Sequence, residues 1–484
     1  MKISETDRIL NLTKDMILFH SPEGEAFANM TIDNHSETWS INSKIMEFIL
    51  TERYMLSYNG KVPSKRSLQQ AIHALETIAR IRGKKQRVYN RIAKSDNAIY
   101  IDLANDNWEA IEINENGWKV IKNPPVYFVR SDISKPLPIP SKNGDITLLK
   151  HFINVQNDED FKLLIAWLLS TVKLGNPFPI LILQGEQGSA KSTTAKLIRS
   201  IIDPSQIPLR TLPNDEMTLA ISAKYTWILA YDNLSGLSHS MSDSFCRMST
   251  GGAITTRTLY TTDEETFLKL QRPLILNGID DIAEKADLLE RSLVINLPRI
   301  NPERRIDECT FWSDFTDKHS LILGGLCDII SGALKSLKST KLNSKPRMAD
   351  FALWITSAEK SLKWEEGTFV KIYENNIKQA INRNLESNPL AYLVEQFMKN
   401  RENWIGTVSE TLEQLNLLAI EFGINQFLLP SSNKLKNELK RSNPILREFN
   451  VEFIDLKRNT RGSMLQIRKS TNESDDFIKS NQGI

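Results

Sequence analysis

Apolar and polar positions divide this chain into regions of different character. Between about 145 and 300, four short runs are almost wholly apolar: Pro179 to Leu183, Trp227 to Tyr231, Pro273 to Leu276 and Leu293 to Leu297. A strand without a polar face is buried on both sides, so these runs predict a largely parallel sheet covered by helices. Residues 1–142 read instead as a mixed α/β domain. Short strands with polar turns are expected from Glu23 through Trp39, and a helix from Arg66 to Arg82 follows from the spacing of Leu68, Ile72, Leu75, Ile78 and Ile81. Alternation around Asn, Asp and Gly turns in Ala98 to Leu103, Trp108 to Ile113 and Gly117 to Ile121 signals a hairpin or meander. The proline-rich run Lys135 to Gly144 holds neither regular structure and marks a domain boundary.

Beyond the apolar strands, residues 301–385 read as an amphipathic helical linker, including Leu321 to Leu337 and Phe351 to Leu362. Residues 386–470 read as a further domain, with a helix from Trp404 to Leu418, a capped basic helix from Ser431 to Arg441, and two strands, Val451 to Leu456 and Ser463 to Ile467. That order resembles a winged helix. The polar tail, residues 471–484, is expected to be disordered.

The sharpest chemical signal is Gly185-Glu186-Gln187-Gly188-Ser189-Ala190-Lys191-Ser192-Thr193, which follows one apolar strand and opens a helix. Small residues let successive backbone N–H groups converge on phosphates, a lysine reaches their oxygens, and a hydroxyl can hold Mg²⁺. The start of the helix adds its positive dipole end. Ala190 stands where glycine is usual, which is tolerable provided the backbone there is not left-handed. A second apolar strand ends in Asp232, a candidate metal carboxylate, but Asn233 follows where a water-orienting glutamate is usual. Glu186 is the nearest acid in sequence that could substitute. A third strand ends in Asn277, whose amide could sense the γ-phosphate, and Arg291 precedes the fourth.

Each of these has an ordinary reading. Asp232 could cap a turn, Asn277 could form one before Gly278, and Glu186 and Arg291 could be solvated charges.

Composition narrows the class. The chain has 484 residues, 40% of them hydrophobic and 25% charged, as in a soluble globular protein of about three domains. No apolar run approaches the ~18 residues of a membrane span, and the early acids at the N-terminus are unlike a signal peptide, so a cytoplasmic protein without a membrane partner is expected. Three cysteines and six scattered histidines lack zinc or disulfide spacing. Net charge is only +2, yet residues 433–469 carry ten cations against four anions, leaving about −4 for the remainder. Lys434, Lys436, Lys440, Arg441, Lys457, Arg458 and Arg461 therefore form a candidate duplex-docking face. A winged helix used only for protein contact is the alternative.

The phosphate loop, Asp232-Asn233, Asn277 and Arg291, in that order, resemble a superfamily 3 helicase, the AAA+-type ATPase of phage and mobile-element primase–helicase-like proteins. The resemblance implies a P-loop AAA+-like core over residues 145–300, ATP and Mg²⁺ as cofactors, and a homo-oligomer, expected as a hexamer. It assigns Lys191 to phosphate, Ser192 and Asp232 to Mg²⁺, Asn277 to the γ-phosphate, and Arg291 to a finger acting on a neighbouring subunit. It also implies single-stranded DNA in a central pore, gripped by a hairpin over Thr255 to Lys269 through Arg257, Tyr260 and Lys269; a surface hairpin bridged to its own acids is equally consistent. The implied activity is an ATP-dependent DNA motor. A regulatory or defence-type NTPase switch with slow hydrolysis is the alternative, favoured by Asn233, and a kinase is disfavoured by Arg291 and the basic C-terminal domain.

Overall fold

The computed structural model describes residues 3–257, 265–269, 271–278, 282, 286–387, 389–421, 431–448 and 450–469. It forms two compact units, Met1–Ile282 with Arg291–Tyr373, and Ala283–Glu290 with Glu374–Ile484. No helix among the described residues is long and apolar enough to cross a membrane.

In the first unit, four strands pair in the order His35–Ser40, Ala26–Ile32, Ile17–His20, Lys84–Lys85. The helix Lys65–Ile81 covers this sheet. Its N-cap Ser64 accepts from the Ser67 N–H, and Leu68, Ala71, Ile72, Leu75 and Ala79 are its buried face. A second antiparallel sheet, Ile92–Ser95, Ala98–Asp102, Ala110–Asn114 and Gly117–Ile121, runs in chain order as a meander. The proline-rich stretch after it is tied down. The Ser141 and Asp145 N–H groups donate to the Ser320 and Leu321 carbonyls of the helix Glu308–Ser336 at 2.9 and 3.0 Å. A Cβ on Gly324 or Gly325 of that helix would strike the Ser141 or Ile146 backbone, so only glycine permits this crossing.

The central sheet is parallel, in the order Leu229–Leu234, Leu274–Gly278, Ile180–Gln184, Ser292–Asn296. Its two inner strands, Ile180–Gln184 and Leu274–Gly278, are buried throughout, as uninterrupted apolar runs require.

Beside it lies an ion cluster that a helix–sheet core does not tolerate unpaired. Asp203 meets Arg91 Nε at 3.2 Å and Arg199 at 3.6 Å, and its second oxygen accepts the Ile228 N–H at 3.0 Å. Arg91 and Arg199 are each 1% exposed. Arg91 also donates to the Asp102 and Lys135 carbonyls.

The second unit has one core, in which the helices Pro389–Met398, Val408–Glu421 and Ser432–Glu448 pack Phe397, Leu415, Leu435 and Leu439 against Phe453, Leu465 and Ile467. Among the described residues its antiparallel sheet has three strands, not two. Asn403–Thr407 pairs with Met464–Lys469 on the side opposite Val451–Asp455. The segment expected to begin a helix at Trp404 is therefore a strand until Thr407. Thr407 then caps the helix that follows: its hydroxyl accepts the Glu410 N–H and Glu410 accepts the Thr407 N–H.

Removing Asp203 leaves two buried guanidinium groups without their carboxylate, an effect that costs about 3–5 kcal/mol where a buried pair is broken. Asp203→Ala is expected to lower the thermal midpoint of the first unit sharply, whereas Asp15→Ala, which removes an exposed partner of Arg53, should shift it by about a degree or two. Equal shifts in calorimetry would contradict this role for the cluster.

Candidate functional site

The strand Ile180–Gln184 delivers Gly185 to its carboxyl end, where φ is +151° and a Cβ would collide with the Leu297 carbonyl. Gly188 follows at φ +85°. Ser189 is fully buried and donates to the Glu186 carbonyl at 2.9 Å, which tightens the loop. Ala190 then adopts the left-handed conformation, φ 62° and ψ 31°, as the cap of the helix Lys191–Ser200. The condition under which alanine seemed harmless is not met. An alanine there costs about 1–2 kcal/mol relative to the right-handed form.

Lys191 Nζ donates to the Gly185 and Glu186 carbonyls at 2.6 and 2.9 Å. Burial lowers its pKa, against the pull of Asp232. Ser192 donates to Asp232 Oδ1 at 2.9 Å. Asn233, exposed and at φ 57°, donates its N–H to Asn277 Oδ1 at 2.9 Å. Asn277 is 1% exposed, and its Nδ2 has no hydrogen-bond partner. The structure thus brings Lys191, Ser192, Asp232, Asn233 and Asn277 to one end of the sheet. A hydroxyl beside a carboxylate is a hard-oxygen pair of the kind Mg²⁺ prefers, and an orphaned buried amide donor fits an additional oxygen ligand. Glu186 and Gln187 are exposed on the loop, and Thr193 lies in the first turn of the helix.

Two other expectations fall elsewhere. Arg291 lies at the opposite end of the sheet, where its carbonyl accepts the Ile180 N–H. The strands Ala253–Arg257 and Glu265–Lys269 do form an antiparallel hairpin, with Arg257 opposite Glu265 and Lys269 opposite Ala253. Tyr260 lies outside the described residues, as does the polar tail.

A cavity of about 980 Å³ adjoins the loop. Gly188, Ala190 and Thr193 form one wall, and Phe152, Asn154 and Arg305 contribute to the others. The Ile300 N–H donates to the Gly188 carbonyl at 3.1 Å, and a Cβ on Gly188 would lie 3.3 Å from the Arg305 guanidinium. Sequence reasoning missed this wall. The signal was the run Arg299-Ile300-Asn301-Pro302-Glu303-Arg304-Arg305, directly after a strand that pairs with the loop strand in parallel.

The loop, Asp232, Asn277 and Arg291 all fall within residues 146–363, which match the family model of the actinomycete integrative conjugative element replication protein. Residues 390–480 match the C-terminal domain model of the same replication protein. Over both stretches the chain is similar to a mobile-element replication protein. No curated protein matches it. Among solved structures, an SCCmec type IV Cch active helicase is 14% identical with a TM-score of 0.48, over 94% of this chain and 93% of that one. The apo A form of the NrS-1 C-terminal region is 12% identical with a TM-score of 0.39, over 96% and 98% of the two chains.

In the domain matched by the second model, the expected docking cations divide. Lys436 and Lys440 both pair with Asp455, at 2.7 and 2.9 Å, and Arg441 pairs with Glu438 at 3.2 Å. Lys434, Lys457 and Arg458 are exposed and make no ion pair among the described residues, and Arg461 is exposed beside them.

The left-handed Ala190 yields a direct test. Ala190→Gly should leave stability unchanged or slightly raised, whereas Ala190→Val, β-branched at positive φ, should destabilise by more than about 1 kcal/mol. Calorimetry would read both, and a valine variant as stable as the parent would contradict the loop geometry.

Proposed function

We propose that the chain is an ATP-driven DNA motor: a ring-forming replicative helicase or replication initiator of a phage or mobile element, working as a hexamer in the cytoplasm. The observation that carries this reading is the convergence of Lys191, the Ser192–Asp232 pair and the orphaned Asn277 amide at one sheet end, within the stretch similar to a replication protein. Backbone amides of residues 185–191 and the start of the helix Lys191–Ser200 would cradle the ATP phosphates, with Lys191 on their oxygens. Ser192 and Asp232 would hold Mg²⁺, which neutralises phosphate charge when bound. Asn277 would donate its free Nδ2 proton to the γ-phosphate, and the cavity walled by Phe152, Asn154 and Arg305 would take the base and ribose.

Arg291 is separated from its own loop by the length of a five-residue strand, roughly 15 Å. Its place in this reading is therefore on the ATP of a neighbouring subunit. The hairpin carrying Arg257, Tyr260 and Lys269 would hold single-stranded DNA in the ring. The C-terminal domain, read as a winged helix, would meet duplex through Lys434, Lys457, Arg458 and Arg461. Lys436, Lys440 and Arg441 would contribute only by exchanging their carboxylates for phosphates.

Lys191→Ala is expected to abolish hydrolysis and strongly weaken ATP binding without loss of fold. Arg291→Ala should keep binding and lose turnover, and mixing the two variants should restore part of the activity through hybrid interfaces. Unchanged turnover in Lys191→Ala would overturn the nucleotide assignment, and no rescue at any ratio in assembled mixtures would overturn the finger.

A second reading, a slow NTPase switch that assembles on nucleotide, is favoured by the amide of Asn233 at the place of the usual base. Glu186 is the candidate substitute for that base. If its carboxylate serves as general base, Glu186→Gln should cut turnover by about 10²–10⁴ with ATP binding retained; the parent rate in that variant would make the loop carboxylate a bystander and put the base elsewhere.

A further inference from the structure

A second cavity, of about 710 Å³, lies at the other end of the central sheet. Leu174, Trp227 and Arg272, each preceding a sheet strand, form its floor, and Arg87, Tyr89 and Lys94 form the facing wall. The wall belongs to a run of unusual charge. Between Thr77 and Ser95 there are seven cations, Arg80, Arg82, Lys84, Lys85, Arg87, Arg91 and Lys94, and no acid. Arg80 pairs with Glu76 and Arg91 with Asp203. The other five are exposed and make no ion pair among the described residues. Within the cavity, Arg272 spends its donors on backbone carbonyls and rests on the Trp227 ring, and Glu23 is the lone carboxylate among the lining residues. Burial and the neighbouring charge of Lys94 bring the Lys173 ammonium down to about 8. Positive charge here outnumbers the single carboxylate of Glu23.

We propose that Arg82, Lys84, Lys85, Arg87 and Lys94, with the cavity they lead into, bind the phosphodiester backbone of single-stranded DNA. Three observations select this ligand. Lys84, Lys85 and Arg87 lie on a mostly extended segment between the helix end at Arg82 and the strand that carries Lys94, an arrangement open to a chain of phosphates. The cavity volume suits roughly one or two nucleotide units and excludes a duplex, and Tyr89 on its wall is half-buried, with a face available for a base. Its rim also carries Gly251 and Gln271, which flank the hairpin strands Ala253–Arg257 and Glu265–Lys269. A strand gripped by that hairpin is thus led to this cavity. The inference rests on the reading of the chain as a DNA motor, and it gives a role to a part of the chain that neither family model reaches.

The test uses the full chain and a labelled oligo-dT, with binding read by fluorescence anisotropy across a salt series. On single strands each phosphate contact contributes about 0.7 to the slope of log K against log salt. The variant R82Q/K84Q/K85Q/R87Q is expected to bind about tenfold more weakly or worse near 0.1 M salt, with the slope reduced by about 3. Its ATP hydrolysis without DNA and its thermal midpoint should match the parent. R87Q/K94Q, which alters only the cavity wall, should lose about half as much slope. Parent-like affinity and slope in both variants would overturn the inference and leave the motor reading standing. Strip-dependent DNA binding by a chain that hydrolyses no ATP would support the inference and overturn the motor reading. Binding to vesicles of phosphatidylcholine and phosphatidylserine, with none to oligo-dT, would overturn it in favour of a lipid surface.

Discussion

The polarity of one parallel sheet organises the first unit. Parallel strands cannot be joined by tight turns, so each needs a crossover that covers a face, and all their carboxyl ends fall on one side. The register places Gln184 beside both Gly278 and Asn296. That alignment sets the loop after Gln184 next to the Asn277 strand and, across it, the Asp232 strand. The same constraint puts the segments before the strands, with Trp227, Arg272 and Arg291, at the far side. One end thus gathers Ser192, Asp232 and Asn277 beside the Arg299 to Arg305 wall, and the other gathers Arg87, Lys94 and Arg272.

Charge is unevenly distributed, which the net value of +2 conceals. Where positive charge is structural, it is buried and matched: Asp203 serves Arg91 and Arg199 together, linking the meander domain, the loop helix and the Ile228 backbone. Burial works against the Arg199 cation and Asp203 works for it. Where positive charge is exposed without carboxylates, as at Arg82, Lys84, Lys85, Arg87 and Lys94, it repels itself. Such a cost is reasonable only where an anionic partner offsets it.

How much of this was legible in the sequence depended on what each feature needs. The four central strands are readable because burial on both faces leaves an apolar run, and the helix Lys65–Ile81 because burial on one face leaves a helical period. The strand Asn403–Thr407 was not. Its short apolar stretch, Trp404 and Ile405, runs directly into a helix, so its period is masked, and only pairing with Met464–Lys469 decides it. The loop's residue types were legible, but the left-handed turn at Ala190 was not, since alanine rarely adopts it. The Arg299 to Arg305 wall and the strip at residues 82–94 were visible as charge runs. Their meaning depended on which strand ends and cavities lay beside them, and that required the tertiary structure.

Asn233 shows why the letter alone misleads. It sits at φ 57°, in an irregular register between Tyr231 and Leu234, with its N–H held by Asn277. Asparagine is several-fold enriched in that conformation, whereas a glutamate would incur a cost of about 1–2 kcal/mol. The departure from the usual acid therefore has a backbone cause. The turn that brings the Asn233 N–H to the Asn277 side chain disfavours glutamate in place. Introducing one would strain the link between the Asp232 strand and the Asn277 side chain. On the proposed reading, a base for the attacking water has to come from a position with an ordinary backbone. Glu186 stands on the loop itself, exposed and without this strain.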